Sequence, residues 1–79
     1  MANRHTLHIN KLAKFQAFLE KENYELLPTK GTYEVLRARG ERGTIVIYKR
    51  DQAKEHCSVM DKDVWIVRKF LREERKYGL

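Results

Sequence analysis

Long apolar runs are missing from this chain. The longest span four residues, 45–48 and 64–67, which is too short for a transmembrane helix or the apolar stretch of a secretory signal. Cysteine is nearly missing too: Cys57 stands alone, which excludes an intramolecular disulfide and fits a reducing compartment. With one proline and four glycines, the chain has no internal repeat, no linker and no low-complexity segment. There is no Gly-rich phosphate loop, no Gly-x-Ser-x-Gly elbow and no dinucleotide fingerprint. Glu34 and Lys49 lie on successive predicted strands, but no Asp precedes a Glu-x-Lys pair as a metal-dependent nuclease would need. These absences set the expectation of a soluble cytoplasmic protein without a cofactor.

What is present is a short, periodic and basic chain. Its 79 residues make a single domain, with residues 1–5 expected to fray. The net charge of +6 is unevenly spread. Residues 1–36 and 55–79 each carry +1, whereas residues 37–54 hold Arg37, Arg39, Arg42, Lys49, Arg50 and Lys54 against Glu41 and Asp51, leaving +4. Charge concentrated in this way attracts a phosphate backbone or steers an acidic partner.

The apolar spacing predicts a helix over residues 8–22, with Ile9, Leu12, Phe15 and Leu19 on its buried stripe, Thr6 or Asn10 as cap and Asn23 as a left-handed stop. Residues 24–27 read as a short strand closed by Pro28, which makes it a strand end or a sheet edge. Residues 31–50 form a hairpin whose loop is Glu41-Arg42. Gly40 then opposes Gly43, Ala38 faces Ile45 and Leu36 faces Ile47. The other face pairs Arg37 with Val46, Val35 with Tyr48 and Tyr33 with Arg50. A fourth strand over 56–60 and a helix over 61–76, capped by Asp61 and buried through Val64, Val67, Phe70 and Leu71, complete the chain. The class is α+β: a two-layer sandwich of helix, three- or four-stranded antiparallel sheet, and helix, with both helices on the aliphatic face.

The solvent face of that hairpin is the candidate site. Tyr33, Arg37, Arg39, Arg42, Tyr48, Lys49 and Arg50 combine phosphate-binding cations with aromatics able to stack on unpaired bases. Such residues also simply suit a wet strand, but the arginines have few acids near them in sequence. Trp65 is expected in the core or half-buried, with an exposed contact framed by Asp63 and Arg68 as the alternative, and the run Arg68, Lys69, Arg72, Arg75, Lys76 extends the basic surface or is a solvated helix face. His5, His8, His56 and Cys57 match no metal-ligand spacing and read as surface imidazoles and a buried thiol. His56 as a general acid or base would draw on Glu55 or Asp51.

The stretch "FLEKENYELLPTKGTYEVLR" and the closing "VWIVRKFL" resemble the HicA-type family of small messenger-RNA interferases, within the double-stranded-RNA-binding-domain fold. The resemblance implies a helix, antiparallel sheet and helix, and an RNA substrate. The family's catalytic histidine follows its glycine turn. Here Thr32, Tyr33 and Glu34 occupy that place, and no residue inherits the role. Asp61-Lys62-Asp63 likewise replaces the lysine signature with which double-stranded-RNA-binding domains grip phosphates.

Three functions are therefore carried forward. The first is a non-catalytic nucleic-acid-binding protein, RNA ahead of DNA. The second is a protein-interaction module, such as a phage-type inhibitor docking on an acidic host protein, with residues 24–27 available for strand addition. The third is an RNA-cleaving enzyme with a displaced catalytic histidine, His56.

Overall fold

The hairpin is the framework on which the other elements assemble. In the computed structural model, which describes residues 6–49 and 55–77, β3 (Glu34–Gly40) and β4 (Gly43–Tyr48) meet across Glu41-Arg42. Gly40 pairs with Gly43, Ala38 with Ile45, Arg37 with Val46 and Leu36 with Ile47, the register expected from the alternation. Gly43 has φ 117°, a backbone angle that L side chains rarely adopt, so the turn depends on glycine there. Past Leu36 the register slips. A bulge sets Glu34 opposite Tyr48, where alternation alone places Val35. The extra residue lets Val35 pack against the core and carries Glu34 onto the open face. The anticipated Tyr33–Arg50 pair cannot be followed, because Arg50 lies outside the described residues; the Lys49 N–H donates to the Tyr33 carbonyl at 2.8 Å.

Among the described residues the sheet has five strands rather than three or four. Its order is β1 (Thr6–His8), β5 (His56–Val59), β4, β3, β2 (Glu25–Leu27), antiparallel at every step. β1 is the strand that sequence periodicity cannot find. Three residues hold one apolar side chain, Leu7, which pairs opposite Cys57 and is buried. The first helix correspondingly starts later than expected, α1 (Leu12–Lys21), after a 3₁₀ turn over Ile9–Lys11. That turn is capped by neither Thr6 nor Asn10; Nδ1 of His8 accepts the Asn10 N–H at 3.1 Å. Ile9 is exposed instead of joining the stripe.

α1 ends as its sequence foretells. Asn23 has φ 69°, the Asn23 N–H donates to the Glu20 carbonyl at 3.1 Å, and the Tyr24 N–H donates to the Leu19 carbonyl at 2.9 Å. This is the Schellman pattern, which satisfies carbonyls that a helix end would otherwise leave open. It turns the chain directly into β2.

α2 (Val64–Tyr77) follows a 3₁₀ turn over Asp61–Asp63 in which Asp63, not Asp61, is buried. Both helices cover one face of the sheet. Phe15, Phe18 and Leu19 from α1 and Ile66, Val67 and Phe70 from α2 pack on Leu7, Leu36, Ala38, Ile45, Ile47, Cys57 and Val59. The Phe15 and Phe70 rings meet edge-on at 5.2 Å between centroids, a favoured aromatic geometry. Lys11–Glu74 and Lys69–Glu22 ion pairs link the two helical segments on either side of that contact. No helix among the described residues is long and apolar enough to cross a membrane.

Candidate nucleic-acid interface

The uncovered face of the sheet carries arginines, but it also carries their partners. Arg37 donates through Nε and Nη2 to the two carboxylate oxygens of Glu34, at 2.8 and 3.0 Å, a bidentate pair. Arg39 donates to Glu25 at 3.0 Å, because register places Glu25 of β2 directly opposite it. The expected shortage of nearby acids is thus corrected. Residues three apart on a regular strand lie on opposite faces, so only the bulge brings Glu34 beside Arg37. The guanidinium holds the Glu34 carboxyl below the usual carboxylate range, and the carboxylate raises the Arg37 pKa in return.

The other anticipated residues disperse. Tyr48 is half-buried beside this pair, and Val46 between the strands is buried despite lying on the open side. Lys49 continues the alternation of Ile45 and Ile47 and is buried, close enough for its charge to act on the Cys57 thiol. Tyr33 is exposed but precedes the strand. Arg42 leaves the face entirely: from the hairpin turn its guanidinium lies over the Trp65 ring, 4.7 Å from the centroid.

That contact leads to a second basic surface, along α2. Trp65, Arg68, Arg72 and Arg75 recur at spacings of three and four, which aligns them on one side of the helix, and all four are exposed. Among the described residues, Arg68, Arg72 and Arg75 form no ion pair. Lys69 beside them is held by Glu22, which raises its pKa. Of the expected placements of Trp65 the exposed one is found: Ile66 takes the buried position, and Trp65 is 40% exposed.

Beside Trp65 opens a cleft of about 290 Å³ between the end of α1, the hairpin turn and the start of α2. Tyr24, Arg42 and Trp65 line it together with Glu22, Asn23, Glu41 and Lys69. Tyr24 is fixed there by Gly40, which leaves room for the ring: a Cβ on Gly40 would fall 2.6 Å from Tyr24 Cε2. Sequence reading missed this site because its walls come from three separate segments. The one available signal was a tryptophan at the polar end of a helical stripe.

Among the described residues, the histidines form no comparable site. His8 and His56 meet edge-on across β1 and β5, 5.0 Å between centroids, and Glu55 lies 3.4 Å from His8 Nε2 rather than against His56. Cys57 faces the core on the other side of the sheet and is fully buried, and burial pushes its thiol pKa up. His5 and Asp51 lie outside the described residues; among those described, no three His, Cys, Asp or Glu side chains could hold a metal ion. Compared with protein-family models, curated proteins and solved structures, the chain finds no match in any of the three.

Proposed function

We propose that this protein binds nucleic acid without cleaving it, RNA ahead of DNA, through Arg42 and the outer side of α2. The observation that carries the reading is the row Arg68, Arg72, Arg75, which has no carboxylate partner among the described residues and runs on from an exposed tryptophan. Unpaired guanidinium groups gain most from phosphate, since they give up no existing ion pair to reach it. Arg37 and Arg39 would have to break theirs. RNA leads because an exposed indole rewards single strands with splayed bases, the form in which RNA is commonly read. The hairpin residues Tyr33, Arg37, Arg39 and Tyr48 are secondary in this reading, and Arg50 lies outside the described residues.

Fluorescence anisotropy with labelled single- and double-stranded RNA and DNA, across about 50 to 200 mM salt, tests the proposal. Affinity for single strands should fall with salt, with a slope of about −0.7 for each phosphate contacted. Arg68→Glu/Arg72→Glu should weaken binding and flatten that slope, whereas Arg37→Glu/Arg39→Glu should change both less. Absence of binding at the lowest salt would overturn the proposal. It would favour docking on an acidic protein, for which Trp65, Tyr24 and Arg42 are the residue types that dominate interface energetics.

A further inference from the structure

We infer that the cleft beside Trp65 receives one unpaired base of the bound strand and favours guanine; this rests on the RNA-binding reading above. Its volume of about 290 Å³ sits at the lower bound of ligand pockets, which suits a base rather than a larger cofactor. Three planar groups are among its lining residues. The Trp65 indole is exposed, Tyr24 is held in place against Gly40, and the Arg42 guanidinium stacked on the indole adds a planar cation of the kind bases stack on.

The edge of the cleft carries the selectivity. Glu41 is exposed in the hairpin turn, lines the cleft, and has no ion-pair partner among the described residues. A free carboxylate on a phosphate-binding surface repels the backbone, so on that surface it serves best as an acceptor for a base edge. Guanine alone presents two adjacent donors, N1–H and the N2 amino group, to the two oxygens of one carboxylate. The other bases offer at most a single amino group, and uracil a lone imino N–H. Glu22 differs from Glu41, because Lys69 already occupies it. Lys62 stands at the mouth of the adjoining recess, tied to Asp63 and to the Thr44 carbonyl.

The chain has one tryptophan, so tryptophan emission reports on the surroundings of Trp65. The test titrates the full chain with a uridine strand of about nine nucleotides and with the same strand carrying a central guanosine or adenosine, following anisotropy and tryptophan emission together. The guanosine strand should bind about tenfold tighter than uridine alone, the discrimination of one bidentate base contact, and should quench Trp65 most. Glu41→Gln should remove the guanosine preference while keeping salt-dependent binding of the uridine strand. Trp65→Leu should lose the preference and weaken every strand. Equal affinity and equal quenching for all three strands would overturn the inference and leave RNA binding standing. No anisotropy change with any strand would overturn both.

Discussion

Glu34 and Arg37 are three positions apart, a spacing that on an unbroken strand would separate them, and yet they form a bidentate charge contact on the open face. The local sequence gives no warning of it. Alternation assigns side chains to faces correctly until a bulge adds a residue, and nothing in Tyr33-Glu34-Val35-Leu36 marks where that residue enters. The sign of the resulting pH dependence is fixed by the lowered Glu34 pKa. The pair stabilises the fold above the ordinary carboxylate pKa, and that contribution is lost as pH falls through the lowered value. Wild type should therefore melt above Glu34→Gln near neutral pH, and the two curves should converge below about pH 4. A melting difference that persisted unchanged at about pH 2 would show that the ionised pair is not its source.

Elements with a strong local signal were legible, and those made by distant segments were not. Asn23 announced the end of α1, and two glycines spaced around Glu41-Arg42 announced the hairpin, because each requirement is settled within a few residues. β1 stayed hidden because three residues with one buried leucine carry no period, and its partner lies some fifty positions away in β5. The cleft stayed hidden for the same reason. Gly40 illustrates how such a site is held together: it looks like a turn residue, yet what it supplies is room for the Tyr24 ring. Gly40→Ala should push that ring aside and lower stability by about 1–3 kcal/mol, the usual cost of crowding a packed contact, measurable by urea unfolding. It should also alter Trp65 emission, since Tyr24 and Trp65 share the cleft. A variant as stable as wild type with unchanged emission would mean that Tyr24 yields without consequence.

For the molecule as a whole, one thiol reports on cooperativity. Cys57 belongs to the hydrophobic core and is inaccessible to solvent. Modification by a thiol reagent should therefore require global opening, with a rate that follows unfolding free energy as denaturant is added. Labelling that proceeds quickly and ignores denaturant would reveal a local route, through detachment of β1 from β5. The way the sheet ends has a further bearing on how the protein behaves in concentrated solution. β2 offers an outer ladder only three residues long, cut off by the helix stop at Asn23 on one side and by Pro28, which has no N–H, on the other. So short an edge is a poor template for another chain's strand, and a net charge of +6 keeps like molecules apart. At the β2 edge, therefore, the fold guards against fibrillar self-association even while it exposes an aromatic ring on its basic side.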